Sequence, residues 1–170
     1  MSSIPIVRTA RKEDCKEIRR LIQELADYEN FPQAPKLKVQ DLERDGFESS
    51  IPMFKCFVAE IPNNEDKLCG FAMYSPSYSS WVGKTIQLED LYVSPEFRGT
   101  GLGKRLFSLV TKEAYEGNYS RVEFTVFAWN KATDFYTHLG AINTTNSEDR
   151  HVWRLYRSGI EKLVEDSNLN

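Results

Sequence analysis

The sequence predicts one α+β (α/β) domain built on a mixed, mostly antiparallel sheet flanked by helices. Three observations predict it. The 170 residues amount to about one domain at roughly 150 residues each. An amphipathic stripe of Ile18, Leu21, Ile22 and Leu25 opens the chain, and three strand-like segments follow in quick succession between residues 54 and 93. A strand, a helix and a last strand then close it, a run of elements that packs helices on a sheet.

Taken in order, IPIVR at 4–8 alternates weakly and reads as a short strand. Thr9 is placed to cap the next helix, whose apolar residues recur at i, i+3, i+4 and i+7. That helix stops before Pro32, and FPQAP at 31–35 is a loop. VQDLERDGF at 39–47 reads as a shorter helix ended by Gly46. FKCFVAEI at 54–61, LCGFAMYS at 68–75 and TIQLEDLYV at 85–93 form a meander, with PNNED at 62–66 as the first polar turn. PSYSSWVGK at 76–84 is expected to be a longer exposed connection. Leu102, Leu106, Leu109 and Val110 mark a helix ending near Gly117. RVEFTVFAW at 121–129 is strand-like, and KATDFYTHLG at 131–140 is a short helix with a glycine stop. HVWRLYR at 151–157 returns to strand and GIEKLVEDS at 159–167 closes the chain as a helix. No repeat or linker interrupts this order, so one domain is expected over 1–170, with its core at about 4–157 and the terminal helix at about 159–166.

Composition excludes several classes. Such a chain buries roughly 70% of its unfolded surface and needs no disulfide or metal to hold together. With 22 Lys and Arg against 25 Asp and Glu the net charge is −3, so the basic footprint of a nucleic-acid binder is missing. The three cysteines, Cys15, Cys56 and Cys69, are odd in number and widely spaced, as expected of reduced thiols in a reducing compartment. The first residues lack the apolar region of a signal peptide, and no apolar run approaches the roughly 20 residues that span a bilayer. A cytoplasmic protein without membrane or nucleic-acid partners is expected. His138 and His151 are the only histidines and form no HExxH pair, so no metal site is predicted.

The segment that carries chemistry is LEDLYVSPEFRGTGLGKRLF at 88–107, a strand ending in a glycine-rich turn that opens a helix. Helix N-termini present unpaired N–H groups and partial positive charge, and glycine lets those amides approach a phosphate closely. Arg98 and Lys104 flank the turn with positive charge. Gly99, Gly101 and Gly103 fit neither the Walker spacing nor the GxGxxG dinucleotide spacing. A β-to-α turn without a ligand is the alternative reading.

The run RGTGLG, entered from LEDLYVSPEF, resembles the acetyl-CoA pyrophosphate loop of the GNAT superfamily of N-acetyltransferases. ELADYE at 24–29, DGF at 45–47, FVAEI at 57–61, GFAMY at 70–74, WVGK at 81–84 and LED at 88–90 resemble the spermidine/spermine, or diamine, acetyltransferase subfamily. The resemblance implies acetyl-CoA as cosubstrate and no metal. It sets Leu91, Tyr92 and Val93 beside the pantetheine arm, and Arg98, Gly99, Thr100, Gly101, Leu102, Gly103 and Lys104 around the diphosphate. Asn130 is a further cofactor contact by resemblance, although its six-position step to Tyr136 is one residue shorter than the family's. Glu89 is implied as the base that takes the amine proton, directly or through a water, and Tyr136 as the acid that protonates the leaving thiolate. Asp90 adjoins Glu89 and by alternation faces the other side. The alternative for Glu89 is a solvated or structurally bonded edge carboxylate, and Tyr136 read without the family is more often a packed core ring.

For the amine, the resemblance implies Tyr28, Glu29, Trp81 and Glu89 as cation-binding positions, through carboxylate pairing and cation–π contact. Ser79 and Ser80 are two small hydroxyl residues where the polyamine branch carries an acid and a proline, and Ala128 lacks a carboxylate found nearby in the family. These differences resemble the thialysine branch, so thialysine and similar diamines are expected ahead of spermine. Acetylation of protein lysines or N-termini is the alternative activity, and a non-catalytic acyl-CoA-binding module the alternative class. The family also implies a homodimer, in which HVWRLYR is apolar enough to take part.

Overall fold

The structure is a computed structural model that describes residues 4–62 and 64–166, less the side chain of Glu65. The chain divides into two compact units, one running through Thr125 and the other from Val126 onward.

The first unit carries a five-stranded sheet in sequential order: β1 (Ile6–Thr9), β2 (Lys55–Ile61), β3 (Asn64–Ser79), β4 (Gly83–Val93) and β5 (Arg121–Glu123). Strands β1 to β4 pair antiparallel and β5 joins β4 in parallel. This is the mixed, mostly antiparallel sheet that the sequence predicts. Its helices are α1 (Cys15–Tyr28), α2 (Val39–Glu43) and α3 (Leu102–Glu116), the last forming the crossover that a parallel β4–β5 pair requires. The second unit holds α4 (Ala132–His138), α5 (Thr145–Glu148) and α6 (Arg157–Asp166).

The apolar stripe of α1 explains one sheet face. Ile18, Leu21 and Ile22 pack with Cys56, Val58, Phe71 and Met73 in one buried cluster, where each large side chain contributes roughly 1.5–3 kcal/mol. On the other face α3 buries Leu102, Leu106, Val110 and Ala114. Gly70 is needed there, because a Cβ would stand 2.9 Å from the Tyr92 carbonyl oxygen and 3.2 Å from Leu106 Cδ1.

Several expectations are corrected. Thr9 caps no helix; it ends β1 opposite Phe57. Asp14 serves the turn before α1 instead, accepting the Arg11 N–H at 2.7 Å while Arg8 Nη1 reaches it at 2.7 Å. Gly46 does not end a helix, because α2 runs on into a π-helical turn at Arg44–Glu48. Its lack of a side chain makes room for Phe54, whose Cζ would lie 2.4 Å from a Cβ. Residues 76–84 are not a long connection: β3 continues to Ser79 and pairs Pro76, Ser77 and Tyr78 with Ile86, Thr85 and Lys84. Pro76, Ser77 and Tyr78 of that ladder are exposed, so no apolar alternation marks it. The PNNED turn is tight, with Ile61 opposite Asn64; its Asn63 lies outside the described residues, as does Ser167 of the expected terminal helix.

The strand expected at 121–129 is paired only at Arg121–Glu123, against Thr85–Gln87. HVWRLYR is not a strand: residues 151–156 have no regular structure and Arg157 already belongs to α6. Val152, Trp153, Leu155 and Tyr156 are exposed, and the described residues of the second unit contain no strand to pair with. An apolar run without a partner edge gains nothing by extending. The three thiols are unpaired and buried; burial raises the pKa of Cys15 and of Cys69 to about 11, which keeps them protonated and unreactive. Among the described residues no helix is long and apolar enough to cross a membrane, and no group of side chains there could hold a metal ion.

Candidate functional site

Strand β4 positions the acidic residues through a break in its own alternation. Tyr74 pairs with Leu88 while the adjacent Met73 pairs with Asp90, so Glu89 is the extra residue of a β-bulge. Directly opposed residues share a face. Ile86 and Leu88, opposite Pro76 and Tyr74, therefore face α3, whereas Asp90 and Tyr92, opposite Met73 and Phe71, face the cluster under α1. Without the bulge all four would lie on one face.

The result is an exposed Glu89 beside an Asp90 that is mostly covered. Burial raises the Asp90 pKa to about 7, helped by the negative charges of Glu89 and Glu29. Glu29 follows the last residue of α1, and its own pKa is raised by burial. The C-terminus of α1 adds the partial negative charge of its carbonyls. Three carboxylates and a helix end thus concentrate negative potential on this part of the sheet, and the charge that such a place favours is a cation. Sequence reasoning singled out Glu29 and Glu89 and missed Asp90, because simple alternation does not reveal a bulge. The signal available was the adjacent pair Glu89 and Asp90 inside the run LEDLYV, whose other residues are apolar.

Beyond Gln87 no described strand pairs with β4 on its β5 side. The Ser94 N–H donates to the Cys69 carbonyl at 2.8 Å, so by antiparallel alternation the Tyr92 backbone also faces β3, and the N–H and C=O groups of Leu91 and Val93 face the open edge. Of the three residues expected beside a pantetheine arm, Leu91 therefore offers both backbone groups, Val93 offers its N–H because its carbonyl already accepts from Arg98 Nε, and Tyr92 offers neither. Ser94 Oγ donates to Glu24 Oε2 at 2.9 Å, Arg20 pairs with Glu24 and also reaches the Leu68 carbonyl at 2.7 Å. The start of the loop is anchored to α1 by this chain of bonds.

The glycine loop then turns through a short 3-10 segment, Pro95–Phe97, into α3. Gly99 and Gly101 have φ of 74° and 82°, left-handed conformations that glycine adopts without strain. No atom lies within 4 Å of a Cβ built on either. Among the described residues no backbone carbonyl accepts from the N–H groups of Gly99, Thr100, Gly101, Leu102, Gly103 or Lys104. Leu102 and Leu106 anchor this helix end in the core, while Lys104 is exposed. A rigid row of unspent N–H groups beside a lysine fits a diphosphate.

Arg98 stands apart from that row. Its Nε donates to the Val93 carbonyl at 2.8 Å, and its guanidinium lies 4.9 Å from the Tyr28 ring centroid and 5.4 Å from that of Tyr92. The structure thus brings Tyr28 to the loop and, through charge, Glu29, Glu89 and Asp90 to one another. Trp81 is not among them. It occupies the turn before Gly83, and the step from Gly83 to Glu89 is roughly 20 Å at ~3.3 Å per residue.

In the second unit Tyr136 lies on α4, buried, with its ring 5.0 Å from that of Phe135 in an edge-on arrangement. Asn130 is buried too. Its Oδ1 accepts the Ala132 N–H at 2.9 Å and its carbonyl accepts the Thr133 N–H at 3.1 Å, so its side chain is engaged in starting α4.

Comparison with known proteins adds the following. A family profile described as the acetyltransferase (GNAT) family matches residues 10–141, which includes residues of both units. The thialysine N-epsilon-acetyltransferase of Bos taurus is 38% identical over 165 residues, covering 94% of this chain and 96% of that protein. The human spermidine/spermine N(1)-acetyltransferase-like protein 1 is 38% identical over 165 residues, covering 94% of this chain and 23% of that protein. Among solved structures, integron cassette protein VCH_CASS6 from the mobile metagenome of V. cholerae has a TM-score of 0.72 at 26% identity, covering 96% of this chain and 98% of that one.

Proposed function

The chain belongs to the acetyltransferase (GNAT) family, and from that premise we propose that it moves an acetyl group from acetyl-coenzyme A to a primary amine of a thialysine-like amino acid or small diamine, with polyamines as further substrates. The observation that carries this reading is on β4. A bulge gathers three carboxylates near a strand whose open edge leads straight into a loop of unspent N–H groups.

Acetyl-coenzyme A, when bound, supplies a thioester as acyl donor. The N–H groups of Gly99 through Lys104 hold its diphosphate, and the backbone groups of Leu91 and the N–H of Val93 face its amide-bearing arm. Glu29 and Asp90 attract the ammonium form of the amine. An amine with pKa near 10.4 has about one molecule in a few thousand deprotonated at pH 7. Glu89, exposed on the bulge, accepts that proton directly or through a water. The Tyr136 hydroxyl holds the proton that the departing thiolate needs, and Asn130 orders the start of the helix bearing it.

Ser79 and Ser80 favour thialysine over spermidine, as do the several relatives named for thialysine. Initial rates with acetyl-CoA on thialysine, lysine, putrescine and spermidine test this. Thialysine is expected to lead, and spermidine far ahead would overturn the preference. We further infer a cytoplasmic homodimer. Three buried thiols suit a reducing compartment, and the exposed Trp153, Leu155 and Tyr156 suit contact with a second copy. Sedimentation that finds only monomer at micromolar concentration would remove the dimer.

A further inference from the structure

We propose that Arg98 is a positioning residue which ties the coenzyme loop to the amine end of the site, and that it is not a ligand of the diphosphate. This rests on the acetyl-CoA reading above. The guanidinium is engaged on three sides: the Tyr28 ring at 4.9 Å, the Tyr92 ring at 5.4 Å and the Val93 carbonyl at 2.8 Å from Nε.

Each contact belongs to a different part of the site. Tyr28 ends α1 directly before Glu29. Tyr92 follows Asp90 by two residues on the same sheet face. Val93 contributes the last carbonyl of the open β4 edge. Arg98 itself follows Phe97, the last residue of the 3-10 turn, and immediately precedes Gly99. A guanidinium set over two rings therefore fixes the spacing between the segment bearing Glu29 and the segment bearing Asp90. Its Nε–H is used by the Val93 carbonyl and its guanidinium lies over two rings, whereas the row of N–H groups from Gly99 onward has no described backbone partner. The diphosphate is left to that row and to Lys104, and movement of Arg98 is felt at the amine end.

The test uses the full chain. In protein labelled at arginine, the Arg98 Nε–H resonance is expected to be displaced by the ring currents of Tyr28 and Tyr92, and to stay displaced when coenzyme A is added to saturation. Its return to an ordinary arginine position on adding coenzyme A would overturn the proposal. Amide shifts of Gly99 to Lys104 in the same sample report whether coenzyme A binds at all, so failure of the acetyl-CoA reading is seen separately. In kinetics, Arg98→Gln is expected to raise the amine KM about five- to thirtyfold, the range set by two lost cation–π contacts. The ratio of coenzyme A to pantetheine affinity, which reports the phosphate-bearing nucleotide end as a whole, is expected to hold. Arg98→Lys keeps the charge without the planar guanidinium or the Nε bond, and is expected to behave like the glutamine variant toward amine. A lysine variant with wild-type amine KM, or a collapse of the coenzyme A to pantetheine ratio in either variant, would show a phosphate-binding charge instead.

Discussion

Replacing Asp90 with asparagine is expected to stabilise the fold at alkaline pH while weakening its hold on a cationic amine. The Asp90 carboxyl has a pKa raised to about 7 by burial and by Glu89 and Glu29, against ~3.9 in an unfolded chain. A shift of about 3 units at 1.36 kcal/mol each gives an upper figure of order 4 kcal/mol for holding the ionised form. Residual solvent access reduces the net cost to about 1–3 kcal/mol. Between about pH 4 and pH 7 the folded state binds more protons than the unfolded state, so stability falls as pH rises through that window. It is full below about pH 4 and lost above about pH 7. Asparagine cannot ionise. Urea unfolding of Asp90→Asn and wild type is therefore expected to coincide near pH 4 and to diverge to about 1–3 kcal/mol in favour of the variant at pH 8. A difference independent of pH would refute the reasoning, because the carboxyl would then not titrate in the folded protein where its surroundings place it. The same variant is expected to raise the amine KM in steady-state assays, since one of three attracting charges is gone.

Tyr136→Phe is expected to lower kcat by roughly 10²-fold or more with coenzyme A affinity by calorimetry nearly unchanged; an unchanged kcat would mean the hydroxyl donates nothing. Glu89→Gln, at an exposed position, is expected to leave the melting temperature alone and cut kcat by about 10²-fold, and retained turnover would assign the proton to another group. Gly101→Ala adds a methyl that meets no atom within 4 Å, so its cost is that of a left-handed φ, about 1–2 kcal/mol, visible as a higher KM for acetyl-CoA and a lower melting temperature. Gly70→Ala is expected to destabilise by about 1–3 kcal/mol, because its Cβ would press on the Tyr92 carbonyl; a neutral melting temperature would show that β4 can shift aside.

The parts of the fold legible in the sequence were those whose periodicity is paid for by burial. Ile18, Leu21 and Ile22 announced α1, and Leu102, Leu106 and Val110 announced α3, because each buries one stripe against the sheet. The outer half of the β3–β4 hairpin was illegible for the opposite reason: Ser77 and Tyr78 are exposed, and backbone pairing alone holds them. HVWRLYR misled because Val152, Trp153 and Leu155 have strand-like character, while the described residues of their own unit hold no strand to join. The turn from Gly99 to Lys104 was readable since the positive φ of Gly99 and Gly101 restricts the residue type. Asp90 and the posture of Arg98 were not, because one depends on a bulge and the other on Tyr28 and Tyr92, which arrive from separate elements.

The bulge at Glu89 connects these points. A regular β4 would set Ile86, Leu88, Asp90 and Tyr92 on one face, and the apolar pair requires that face to be covered by α3. Asp90 would then be driven into the α3 core, where an ionisable group costs most. One extra residue lets the first half of β4 serve α3 and the second half serve α1. It also brings Asp90 close enough to Glu29 for their charges to interact. Stability alone gives no reason to gather like charges in a partly buried place. A cation bound there relieves the repulsion, so the carboxylates that strain the free protein favour the bound amine. Functional sites are where such local rule-breaking is expected. The strand that breaks its own alternation is also the one that runs into the glycine loop. On the function proposed above, donor and acceptor binding share a single element, and a shift of β4 along its length would be felt by both.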